Sequence, residues 1–286
     1  EFLTEFLVNY HRHGEFILGN YSDEGNHLLF EAQRMVYAGV FFPEFKDAAT
    51  WRESGINILN REIKKQVYND GGQYELDPHY HLAAINIFCK ALRMADCNGF
   101  RNEFPAEYLD TIKSMIEFYT NICFPDYTNP CFSDAKLGDY KAEIANYRDW
   151  LALFPDSEWI RYYATEGREG SMLPYLSHGA LTSGFFTFRN GWKKDAAVMV
   201  VKATQSVTKL WQPEGDTQIL VTENPSYKDL RHRRTVFFVD QTYYVIVDEA
   251  IGDAKGTVNL NYHFCEGTVN IDVKENAITT AYDGPS

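Results

Sequence analysis

The stretch Thr165-Glu166-Gly167-Arg168-Glu169-Gly170 divides this chain into two kinds of pattern. Upstream of it the apolar residues return at helical spacing. Phe2, Leu3, Phe6, Leu7 and Tyr10 do so, then the run from Leu28 to Val40, then Trp51, Ile56, Leu59, Ile63 and Val67. Further helices are predicted from Tyr80 to about Ala95 and from Pro105 to about Ile122, with Pro105 suited to a first helical turn. Residues 124–139, rich in Asp, Asn and Pro, read as a loop of the kind that is usually functional or disordered. Downstream the pattern shortens to β-branched and aromatic runs: Phe185–Phe188, Ala197–Val201, Thr235–Val239, Tyr243–Val247 and Val258–Tyr262. Asn190-Gly191, Asp240-Gln241 and Gly252-Asp253 supply turns between them. Strands that follow helices, rather than alternating with them, predict an α+β protein of two domains. We place a helical domain at residues 1–168 and an antiparallel β domain at 169–286. Because the chain closes on Tyr282–Ser286 without a terminal element, the β domain is expected to be incomplete.

Composition bounds the function classes. The chain has 286 residues, enough for two domains or one with a large core. A formal charge of −13 argues against general binding to nucleic acid or anionic membranes, although a local basic patch can still hold an anionic polymer. Arg231-His232-Arg233-Arg234 and Lys193-Lys194 are the tight basic clusters, and such runs are more often a solvated face than a site. Aromatics at 15% can stack on sugar rings or simply fill a core. The five cysteines lack zinc-finger spacing, and their odd number fits no complete disulfide framework. Cys123 and Cys131 flank the Pro/Asn loop and are open to a bridge or to remaining free thiols. No stretch is long and apolar enough to span a membrane. A beginning at Glu1-Phe2-Leu3, read as part of a helix, says nothing of any targeting segment in a precursor.

Two helix starts carry more polar chemistry than capping requires: Gly25-Asn26-His27 before Leu28, and Asp77-Pro78-His79-Tyr80-His81 before Leu82. Together with Gly19-Asn20-Tyr21, Phe41-Phe42-Pro43-Glu44-Phe45-Lys46, Asp70-Gly71-Gly72-Gln73-Tyr74-Glu75-Leu76 and His232-Arg233-Arg234-Thr235-Val236-Phe237-Phe238, they give the chain its likeness. It resembles the heparinase II/III superfamily of polysaccharide lyases, and within it the heparinase III-type heparan sulfate lyases of polysaccharide lyase family 12. The likeness covers essentially the whole chain, and the Gln73–His81 string is its most specific part.

The resemblance implies an N-terminal incomplete (α/α) toroid followed by an antiparallel β-sandwich, with the cleft between them. It implies β-elimination at the uronic acid of heparan sulfate, in a periplasmic or secreted monomer without nucleic-acid partners or membrane insertion. No cofactor is required by the sequence, and a divalent metal, calcium or zinc, is implied by the family alone. The family's catalytic asparagine falls on Asn26 and its catalytic tyrosine on Tyr80. A third family residue, a histidine, and any metal ligands are expected in a segment missing between Lys202 and Ala203, where the chain jumps past text that relatives carry.

Elimination removes the C5 proton beside a carboxylate, so charge developing on the carboxyl oxygens needs a fixed donor. An amide at a helix N-terminus supplies one, helped by the helix dipole. A phenol can take the C5 proton and return it to the leaving O4, but phenols ordinarily titrate near 10, so neighbouring imidazoles or cations are needed. The expected substrate-side residues are His27, Glu75, His81 and Asp134, the last beside Ser133 in the loop. Each has a plainer reading. Asn26 is a favoured N-cap residue, His27 can simply pack, Glu75 can orient His81 or stay solvated, and Tyr80-His81 can be a half-buried amphipathic pair. His232, within its basic run, reads as a surface or supporting residue. On the same scaffold, a lyase for another uronate polymer such as alginate and a non-catalytic glycan-binding protein remain open.

Overall fold

The computed structural model describes residues 1–257, 259, 260, 262, 264 and 267–281. The helical part comprises α1 (Phe2–Gly19), α2 (Gly25–Phe41), α3 (Ala48–Gln66), α4 (Pro78–Cys97), α5 (Ala106–Ile122), α6 (Tyr140–Leu153) and α7 (Glu158–Ala164). Pro105 stands one position before α5, as its N-cap, rather than inside the first turn. Residues 124–139 form the expected loop. α6 and α7 were not predicted.

The strands are β1 (His178–Ala180), β2 (Phe185–Arg189), β3 (Val198–Lys202), β4 (Val207–Gln212), β5 (Thr217–Tyr227), β6 (Leu230–Val239), β7 (Tyr243–Gly252), β8 (Thr268–Asp272) and β9 (Ala277–Ala281). They build antiparallel sheets in the orders β1-β2-β3, β4-β5-β6-β7 and β8-β9. Asp240 and Gln241, both left-handed at φ 51° and 52°, make the tight turn between β6 and β7 expected there. Of the expected run 258–262, Val258 and Asn261 lie outside the described residues, and Asn259, Leu260 and Tyr262 are in no strand.

The protein is α+β. Helix gives way to strand between Ala164 and His178. Packing divides elsewhere: Glu1–Ile251 is one compact unit and Gly252–Ser286 another, the second holding the β8-β9 hairpin. The change of pattern near residue 168 is therefore a change of secondary structure inside one packed body.

β2 explains why. Strand side chains alternate between faces, and here both faces are covered, so all five residues are buried. Phe185 joins the core of the helices, with its ring 5.4 Å from Phe118 of α5. Phe186 and Phe188 join a second core with Leu220, Val236 and Phe238 of the four-stranded sheet. Arg189 turns back to the helices and donates to the carbonyls of Asn121 and Cys123 at 2.6 and 3.2 Å. Those carbonyls end α5, so a buried cation meets the negative end of a helix dipole. Its guanidinium also lies 3.8 Å from the Trp192 ring centre.

Candidate functional site

The segment between α3 and α4 carries the most specific string of the sequence, and four anchors fix it. Asp70 accepts from the Thr182 and Ser183 backbone N–H groups at 2.8 and 2.7 Å and from the Ser183 hydroxyl at 2.6 Å, which ties the segment to the β1–β2 turn. That approach needs Gly72, because a Cβ there would sit 1.9 Å from the Ser183 hydroxyl. The Tyr74 hydroxyl reaches the backbone of Gly25, the first residue of α2. Burial and the nearby Glu75, Glu24 and Glu62 carboxylates push that phenol up, so Tyr74 is a neutral strut.

The third anchor is His81. Its Nδ1 accepts the Gln73 N–H at 3.1 Å, and its Nε2 donates to the Met115 carbonyl at 2.9 Å, because a carbonyl can only accept. The ring is buried, and desolvation lowers its pKa to about 4. This corrects the expectation that His81 touches substrate. It has no free nitrogen and no route to solvent, and as a neutral ring it brings no cation to Tyr80. The reason is geometric: adjacent helix residues point about 100° apart. His81 faces the core while Tyr80 is half exposed. The fourth anchor is Asp77, the N-cap of α4, whose Oδ1 accepts the N–H groups of His79 and Tyr80 at 2.8 and 3.0 Å. Its Oδ2 accepts the Asp134 N–H at 2.9 Å and brings the 124–139 loop over the helix start. Lys202, at the end of β3, donates to the Ser133 hydroxyl at 2.6 Å.

Asn26 is not the N-cap of α2. Glu24 holds that position without a side-chain cap bond, and Asn26 stands in the first turn. The Asn26 side-chain oxygen is buried without a hydrogen-bond partner. The Gln33 amide donates to the Ile87 carbonyl at 3.1 Å, packing α2 on α4. Asn26 lies seven residues before Gln33, and Tyr80 seven before Ile87. Seven residues are two turns within about 20°, so Asn26 shares Gln33's stripe and Tyr80 shares that of Ile87. With Tyr74 joining the beginnings of the two helices, α2 and α4 run in the same direction. Asn26 and Tyr80 therefore stand at the same end of adjacent helices, both half exposed.

Around them His27, Glu75 and Asp134 are exposed. Glu75 accepts from the Gln73 side-chain amide at 3.2 Å and does not orient His81. The residues that sequence reasoning missed are Tyr74, Asp70, Asp77 and Lys202. The first three lie within the quoted strings, where their turn and cap positions are the signal; nothing in the sequence marks Lys202.

The basic run lies elsewhere and its charge is spent. Arg233 and Arg231 face Glu223, and His232 and Arg234 share Asp248 at 2.6 and 2.7 Å. Cys123 and Cys131 are free thiols, Cys123 buried and Cys131 exposed. Among the described residues the strands bring together no three side chains able to hold a metal.

Residues 1–162 match the Heparinase II/III N-terminus family, and residues 182–284 match Heparinase II/III-like, C-terminal. The chain belongs to the heparinase II/III family. It is 54% identical to a heparin-sulfate lyase of Bacteroides stercoris, aligned over 99% of the chain and 52% of that protein. A heparin-sulfate lyase of Pedobacter heparinus is 35% identical, over 98% and 52%. Among solved structures, a heparinase III superposes with a TM-score of 0.88 at 55% identity, covering 99% of this chain and 54% of the other. A heparan sulfate lyase from Pedobacter heparinus superposes at 0.84 and 34% identity, over 99% and 55%. The chain thus spans about half the length of the relatives it matches. The alignment to the Bacteroides stercoris enzyme runs over 347 residues against a chain of 286, so within the matched span that relative carries residues this family member lacks.

Proposed function

We propose that this chain carries the chemistry of a polysaccharide lyase that cleaves heparan sulfate by β-elimination at the uronic acid. The observation that carries the reading is the placement of Asn26 and Tyr80 at one end of parallel helices; the resemblance assigns the family's amide and phenol to these two residues. We read the helices as part of an incomplete (α/α) toroid and the strands of the Glu1–Ile251 unit as part of an antiparallel β-sandwich.

Uronate binds with its carboxylate toward Asn26. The side-chain amide there donates to the carboxyl oxygens, and the positive end of α2 favours the charge that grows on them as C5 loses its proton. Tyr80 takes the C5 proton and delivers it to O4 of the leaving sugar, with the C4–O4 bond breaking and a C4=C5 double bond forming. His27, Glu75 and Asp134 line the sugar path. Lys202 supplies positive charge beside Asp77, though desolvation lowers its pKa. The third group of the family, a histidine, belongs to the residues that relatives carry and this chain lacks. Both proposed residues come from one chain, so a monomer suffices for this reading, which carries with it a place in the periplasm or outside the cell.

The test is the gain of absorbance from unsaturated uronate when the intact protein meets heparan sulfate, heparin, alginate or chondroitin sulfate at matched uronate concentration. Heparan sulfate of low sulfation should react faster than heparin, in keeping with the net charge of −13. A preference for alginate would move the protein to another uronate specificity, and glycan binding without absorbance gain would make it a binding protein.

A further inference from the structure

We propose that His11, Glu15 and Asp47 form a binding site for a first-row divalent metal ion, with zinc the best match to the donors. His11 and Glu15 are four residues apart on α1 and so share one face of it. Asp47 reaches them from the start of α3, its Oδ2 lying 2.9 Å from His11 Nε2. One ligand atom from each of the three lies within 4.8 Å of the other two. A metal with bonds of about 2.0–2.2 Å holds its ligand atoms roughly 3–3.5 Å apart, a change within reach of the exposed Glu15 side chain.

Three observations set this cluster apart from an ordinary acidic patch. Asp47 is the N-cap residue of α3 yet makes no side-chain cap bond, and its carboxylate turns to His11 instead. Among the described residues neither Glu15 nor Asp47 is ion-paired with a lysine or arginine. Trp51, fully buried, donates its indole N–H to Glu15 Oε1 at 2.9 Å and leaves the second oxygen available. Metal-binding carboxylates are commonly oriented by such an outer partner. Gly14 makes the arrangement accessible, since a Cβ there would meet the Trp51 ring at 2.8 Å. The imidazole favours zinc, nickel or copper over calcium and magnesium, which prefer oxygen. A bound ion would clamp α1, of which only Gly14 is buried, to the start of α3.

Zinc chloride titrated into the metal-free intact protein tests this, with calorimetry and thermal melting as readouts independent of turnover. One equivalent should bind and raise Tm in a saturable way. Glu15→Gln keeps an acceptor for Trp51, and Asp47→Asn keeps a partner for His11; each should lower zinc affinity at least tenfold while its metal-free Tm stays near wild type. His11→Ala should abolish the site, and His13→Ala, on the exposed side of the same helix, should leave it intact. Equal zinc affinity in wild type and His11→Ala, or no rise in Tm, would overturn the proposal.

Discussion

Asp77 holds Tyr80 by its main chain: the carboxylate accepts the Tyr80 N–H at 3.0 Å, while among the described residues the phenol makes no hydrogen bond. Tyr80→Phe should therefore melt within a degree or so of wild type. If Tyr80 is the proton carrier, turnover should fall ~10²–10⁴-fold, the usual worth of a general acid–base group. Wild-type turnover in the Phe variant would make Tyr80 a packing residue.

Asn26 caps nothing, and its buried amide oxygen has no partner. Its removal should therefore cost little stability, less than the roughly 1 kcal/mol expected for a lost N-cap. Loss of a donor to the developing carboxylate charge should lower kcat by about 10²–10³-fold. Melting temperature and kcat of Asn26→Ala, measured side by side, separate the two. A lower Tm with unchanged kcat would leave only a structural role.

His81 gives a pH dependence with a definite sign. Its pKa falls to about 4 in the folded protein, against about 6.5 for an exposed histidine. Between those values the unfolded chain binds a proton that the native ring refuses, so stability rises with pH. The contribution, on the order of 3 kcal/mol, is fully present above pH 6.5 and drains away as pH falls toward 4. Urea unfolding at pH 7 and pH 5 should show it, and His81→Gln should flatten the difference while lowering stability at pH 7. An unchanged pH slope in that variant would mean the buried ring is not the group responsible. Turnover should also fall, because the Gln73–Asp77 segment that sets Tyr80 hangs on this ring.

Asp77 has two jobs that substitution can separate. Asp77→Ala loses the cap of α4 and should cost about 0.5–2 kcal/mol. Asp77→Ser retains a capping oxygen but offers nothing to Asp134, whose N–H occupies the second carboxylate oxygen. Serine should recover most of the Tm yet leave KM raised if the 124–139 loop lines the sugar path. Recovery of both by serine would remove that loop from the site.

The first five helices were legible because their apolar stripes keep a helical period. α6 was hidden because its buried face includes Glu143, which accepts from Tyr119 at 3.1 Å and breaks the stripe. α7, at seven residues, is too short to show a period. β5 was obscured by Gln218, Thr222 and Glu223 at buried positions and by Pro225 within the strand. β1 has only three residues. In the site, a resemblance located Asn26 and Tyr80, but the same string invited a reading of Tyr80-His81 as a working pair. Neighbours on a helix point about 100° apart, and on α4 that offset leaves Tyr80 half exposed and turns His81 into the core. Lys202 reaches the loop only through the tertiary fold, which no local pattern encodes.

β2 has a thermodynamic consequence. Phe185 and Arg189 belong to the helices while Phe186 and Phe188 belong to the four-stranded sheet, all on one strand of five residues. That strand cannot detach from one core without exposing the other. Thermal or denaturant melting should then dismantle helices and both sheets of Glu1–Ile251 in one cooperative step, despite the abrupt change from helix to strand between Ala164 and His178.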